Sequence, residues 1–150
     1  MVRQVWLRAW LLCGVLAALY ATAISLLRGG TAAQVWLGVA SGPFGDRAAQ
    51  WGLAGVLAGI AVHFALMAGM IALGLWLARH TPLGEVAPWK AGTLYGLALY
   101  CVMYGLVLPL RFGVRFPDPD KLKLALDLFP HIFLVGLPLL YLFKRTPRLS

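Results

Sequence analysis

The stretch Trp51-Gly52-Leu53-Ala54-Gly55-Val56-Leu57-Ala58-Gly59-Ile60-Ala61-Val62-His63-Phe64-Ala65-Leu66-Met67-Ala68-Gly69-Met70-Ile71-Ala72-Leu73-Gly74-Leu75-Trp76-Leu77-Ala78 runs for 28 residues with His63 as its only ionisable side chain. A bilayer core takes about 20 mostly apolar residues of helix, so a segment of this length can cross one with some tilt. Backbone amides and carbonyls find no water in hydrocarbon and must pair within their own segment, which makes such a run a helix; a barrel strand would be shorter and would alternate. Three further runs read the same way: Val5 to Leu27, Pro88 to Leu110 and, less evenly, Leu122 to Phe143. The spans (residues 5–27, 51–78, 88–110 and 122–143) take up most of the 150 residues. The expected fold is an all-α membrane protein: a four-transmembrane-helix bundle forming one integral domain over residues 1–150, with a short interfacial helix in the first loop.

Composition agrees with that reading. Hydrophobic residues make up 61% of the chain and charged ones 12%, with a mean hydropathy of +0.82, outside the usual range of soluble domains. The net charge of +8 would suggest nucleic acid in a soluble protein. Here the basic residues sit at span ends, where they act as topology signals and lipid-headgroup contacts, so the expected partner is the bilayer and not nucleic acid. Cys13 and Cys101 each fall inside a span, where a thiol behaves as a small hydrophobe. Arg3 and Arg8 precede an apolar run longer than a usual signal-peptide core, and Ala21-Thr22-Ala23 is a weak cleavage match, so the first span is expected to be retained.

Lysine and arginine counts orient the chain. Seven lie on the side of the termini and second loop (Arg3, Arg8, Arg79, Lys90, Lys144, Arg145, Arg148) and six on the side of the first and third loops (Arg28, Arg47, Arg111, Arg115, Lys121, Lys123). The small excess places both termini in the cytoplasm. In the first loop, Thr31 is the expected N-cap of a short helix through Val39 carrying Trp36, broken by Ser41 to Asp46. That helix is expected at the outer interface, with a re-entrant hairpin as the alternative. The fourth span is ambiguous: Pro130 to Phe143 makes only about 21 Å of helix, short of a core about 30 Å thick. Either the helix begins near Asp120, which brings Lys123, Asp127 and His131 onto one stripe, or a surface helix precedes a short span starting at Pro130.

Helices associate in lipid where small residues let backbones approach. Gly55 and Gly59 form such a pair on the second span, Gly92 and Gly96 on the third, and Gly14, Ala18, Thr22 and Ser25 a similar stripe on the first. The tryptophans, mostly near span ends, suit interfacial belts. His63 lies mid-span, one turn after Gly59, and so projects toward other helices; a polar group at that depth needs a partner. Tyr100 and Tyr104 stand one turn apart on the third span, and a long fourth helix would bring His131 and Asp127 toward them. A polar pocket of His63, Tyr100, Tyr104, His131 and Asp127 is therefore expected, rimmed on the outer side by Arg111 and Arg115, which the nearby acids would neutralise. No nucleophile–base pattern, phosphate loop or metal-ligand spacing occurs, and no metal or cofactor is expected.

The segments Gln34-Val35-Trp36-Leu37-Gly38-Val39-Ala40-Ser41-Gly42, Val62-His63-Phe64, Gly92-Thr93-Leu94-Tyr95-Gly96, Tyr100-Cys101-Val102-Met103-Tyr104, Val107-Leu108-Pro109-Leu110 and His131-Ile132-Phe133-Leu134-Val135-Gly136-Leu137-Pro138 resemble a family of small uncharacterised bacterial four-transmembrane-helix inner-membrane proteins. The resemblance covers nearly the whole chain; it departs at Pro43-Phe44, where those proteins more often carry Leu-Leu, so the first-loop turn is expected to differ. It implies a bacterial inner-membrane location and supplies no substrate. The expected function is that of a non-enzymatic accessory or scaffolding component, packing as a homodimer or in a larger membrane complex through a glycine-rich face. The alternative is a small-solute or ion transporter or channel unit whose path runs by His63; an intramembrane enzyme or haem carrier is the third reading.

Overall fold

The structure, a computed structural model, describes residues 2–146; Arg148, used above to orient the chain, lies outside them. Among the described residues there is no strand. Besides short 3-10 helices at Asp46–Gln50 and Pro82–Gly84, five longer helices follow in chain order among the described residues: α1 Val2–Leu27, α2 Ala32–Phe44, α3 Leu53–His80, α4 Pro88–Phe112 and α5 Lys121–Lys144. All except α2 are long and apolar enough to cross a membrane. Their apolar windows are only 11% to 28% buried inside the chain, and Leu19, Leu57, Leu94 and Leu110 face outward. So much exposed aliphatic surface suits hydrocarbon as the surrounding medium.

The local boundaries have identifiable causes. Thr31 and Gln34 form a reciprocal capping box, with Gln34 N–H donating to Thr31 Oγ1 at 3.2 Å and Thr31 N–H to Gln34 Oε1 at 2.8 Å. The helix they open runs to Phe44, five residues beyond the expected end at Val39. Ser41 does not break it because its hydroxyl donates back to Gly38 O at 2.7 Å. Gly45, at φ +80° and with its N–H on Ser41 O, ends it. The fourth span takes the long form: Asp120 accepts from the Leu122 and Lys123 amides at 2.9 and 3.2 Å and starts a helix that continues through Pro130.

Both α4 and α5 widen into a π turn, over Met103–Val107 and Pro130–Gly136. Each wide turn ends two residues before a proline, Pro109 and Pro138. A proline inside a helix lacks the N–H and pushes against the carbonyl four residues earlier, and one extra residue in the preceding turn relieves both.

One core joins all four long helices: Ala9 and Cys13 of α1, Met67 and Ile71 of α3, Tyr95 and Leu99 of α4, and Leu139 and Phe143 of α5. It lies toward the end of the bundle that carries both chain termini. The seam between α4 and α5 is glycine against backbone. A Cβ on Gly92 would stand 2.8 Å from Leu137 Cα, one on Gly96 2.6 Å from Ile132 Cα, and one on Gly136 would run into Gly92 O. Gly55 and Gly59 perform the same service under the first loop, where a Cβ would collide with the Ala48 and Trp36 carbonyls. Trp51, Trp76 and Trp89 are exposed near span ends, whereas Trp10 and Trp36 turn inward. Trp10 donates to Phe64 O at 2.8 Å, and Trp36 lies edge-on to His63. An indole whose N–H finds a carbonyl inside the bundle has no need of the headgroup region.

Candidate functional site

At the other end of the bundle the four long helices and α2 surround a cavity of about 350 Å³. The α1–α3 crossing builds one wall. Gly14 has no side chain, and the Phe64 ring occupies the place its Cβ would take. The close approach lets His63 Nε2 reach Gly14 O at 2.9 Å. The π turn of α5 builds the facing wall, with His131 Nδ1 on Asp127 O at 2.8 Å. The π turn of α4 supplies Met103 and Tyr104, the Tyr104 ring standing edge-on to His131 at 5.6 Å between centroids. His63, Tyr104, Asp127 and His131 thus line one cavity, together with Tyr20, Met67 and Met70. Tyr100 does not reach it. Buried behind, it stacks on Tyr104 at 4.8 Å and meets the edge of His131.

The hydrogen bonds assign the imidazole protons. A carbonyl oxygen only accepts, so His63 carries a proton on Nε2 and His131 on Nδ1, and in the neutral ring the other nitrogen is an acceptor. His63 Nδ1 and His131 Nε2 are left as bare acceptors. No side-chain nitrogen or oxygen among the described residues is both sealed from contact and unpartnered, so these two nitrogens open onto reachable space, and both rings line the cavity. Asp127 adds an acceptor carboxylate whose Oδ2 takes Lys123 Nζ at 3.1 Å. Tyr20, which sequence reasoning missed, donates to Leu126 O at 2.7 Å and ties α1 to α5 beside the cavity. Its spacing six residues after Gly14 gave no sign of this.

The charged rim is arranged differently from expectation. Arg111 does not pair with the acids of its own loop. It donates through Nε to Gly42 O at 2.8 Å and through Nη2 to Ser41 O at 2.7 Å and Asp46 at 3.0 Å, clamping the end of α2 to the end of α4. Asp118 and Asp127 instead share Lys123, and Asp120 is spent as the cap of α5. Arg115 lies with Asp118, Lys123, Tyr100 and Tyr104 around a separate surface cleft. Lys123 and the Asp120 amide hold the Asp118 carboxyl below the usual carboxylate range.

Among the described residues no group of three or more His, Cys, Asp or Glu is placed to hold a metal ion. Cys13 is buried with its thiol toward Val135 O, and Cys101 is exposed. Compared with protein-family models, with curated proteins and with solved structures, the chain matches none of them. Its chemistry therefore has to be read from the cavity itself.

Proposed function

We propose that the protein is a multi-pass integral membrane protein whose cavity takes up a small hydrogen-bond-donating molecule: a membrane-embedded binding or carrier unit. The observation that carries this reading is the pair of histidine rings, one from α3 and one from α5, that line a single cavity, each with one nitrogen that makes no hydrogen bond. Polar groups at such depth are costly unless they are partnered, and a ligand that donates is the partner they lack. The accessory or scaffolding role is less well supported, because Gly55, Gly59, Gly92 and Gly96 already meet backbone within the chain. A dimer or larger complex would have to form on another face.

On this reading the protein resides in a bacterial inner membrane with both termini in the cytoplasm, and α2 lies at the far interface over the cavity. Phenol, a compact donor, tests the function in detergent. The purified full chain should unfold at a temperature that rises with phenol concentration, because a ligand bound only by the folded state stabilises it. His131→Leu, which removes a ring bonded only within its own helix, should abolish that rise. Absence of any rise in the unsubstituted protein overturns the proposal.

A further inference from the structure

The histidine cavity adjoins a larger one. A second cavity of about 660 Å³ lies between α2, α3 and α4, and Val39, Leu66 and Met103 line both. The two chambers differ in chemistry. The first is polar: its lining carries the two histidine rings, the Asp127 carboxylate and the Tyr104 hydroxyl. The second is an apolar lane along α2 whose floor is Gly38 and Gly42, where an added Cβ would meet nothing within 4 Å. Arg111 stands at its edge, but the guanidinium is committed to the Ser41 and Gly42 carbonyls and to Asp46 and is not free to receive an anion.

We infer that the two chambers form one site for an uncharged, hydroxyl-headed lipophile of the long-chain or prenyl alcohol class. The head donates to the imidazole nitrogens and the chain lies in the lane beside Gly38 and Gly42. This rests on the binding role proposed above and names its ligand class. The head group follows from the lining. A carboxylate or phosphate headgroup would meet two lone pairs and the Asp127 carboxylate, with the Tyr104 hydroxyl as a donor in the lining and Lys123 already paired to Asp127, and is disfavoured against a neutral hydroxyl. A pure hydrocarbon would leave those acceptors unpaired. Met103, which lines both chambers, and Met67 and Met70, which line the first, form adaptable walls suited to a flexible chain.

The test holds the chain constant and varies the head. Tritiated farnesol is bound to the purified full-length protein in detergent, and farnesoic acid at pH 8 and farnesene compete. Farnesol should bind saturably, with each competitor weaker by about tenfold or more, the equivalent of one or two lost hydrogen bonds. His131→Leu should weaken farnesol by a similar factor. Gly38→Leu, whose Cβ would have open space, puts a side chain into the lane and should weaken farnesol about tenfold by displacing the chain, while leaving the phenol response intact. Gly42→Leu gives the same readout should the first variant fold poorly. Equal competition by the acid or the hydrocarbon overturns the inference, as does full farnesol binding by the filled-lane variants. Failure of farnesol with a surviving phenol response removes the lipophile and spares the binding role; failure of both removes both.

Discussion

The two ends of this bundle are built from the same four helices and behave as opposites. Toward the termini, Ile71, Leu139 and Phe143 are fully enclosed, and glycine meets backbone along the α4–α5 seam. Toward the first and third loops, the same helices carry His63, Tyr104, Asp127 and His131 around open space. In lipid, apolar side chains gain little from leaving the solvent, so only close fit holds helices together. The sealed end supplies that fit. The open end gives it up in exchange for polar groups, and the π turns that precede Pro109 and Pro138 aim those groups at one another.

The largest effect should come from breaking the seal. Gly92→Val forces a side chain into the backbone of α5 and should cost about 3 kcal/mol or more, enough to abolish a cooperative unfolding transition. Gly69→Ala, where an added Cβ meets nothing within 4 Å, should be neutral or slightly stabilising in the same assay. If the two glycines respond alike, the seam is not what closes that end. Next is Phe143→Ala, which leaves a hole in the core and should cost about 2 kcal/mol, below the roughly 3–5 kcal/mol of such changes in water because lipid also solvates the separated helices. Met103→Ala only enlarges an existing cavity, so thermal unfolding should register less than half that loss.

Arg111→Gln tests whether the open end is held by its clamp. Losing two carbonyl bonds and an exposed ion pair should cost about 1–2 kcal/mol, and residues 41–50 should become the first site of limited proteolysis. The smallest effect is electrostatic. Asp118 titrates below its ordinary value because of Lys123 and the Asp120 amide. The ion pair's contribution is therefore complete above the ordinary carboxyl value of about 3.9 and disappears as pH falls through the lower folded one. Carboxyl NMR should find the Asp118 midpoint raised in Lys123→Met; an unchanged midpoint would exclude the pair as its cause.

Much of the open end was legible in residue spacing. The interval from Gly59 to His63 turned the imidazole inward, and the four-residue steps through Lys123, Asp127 and His131 put them on one stripe, both consequences of helical periodicity alone. Tyr100 was misjudged because position along a helix does not say which of two adjacent tyrosines reaches the lumen; the π turn decides that in favour of Tyr104. Arg111 was assigned to its own loop because sequence proximity is a poor guide to partners separated by 65 residues. Trp10 and Trp36 were read as belt residues because composition cannot tell an indole facing headgroups from one turned onto a carbonyl, as Trp10 is, or onto an imidazole edge, as Trp36 is.

By itself the sequence determined the four long helices, their approximate ends and the small residues that let them approach, because hydrophobic run length and glycine spacing are local properties of a chain. Which glycine meets which backbone, where the bundle closes and where it stays open, and which nitrogen of each imidazole is left bare were decided only by tertiary structure. Those depend on how helices distant in the chain register against one another, and a wide turn or a missing side chain shifts that register by amounts no single helix encodes.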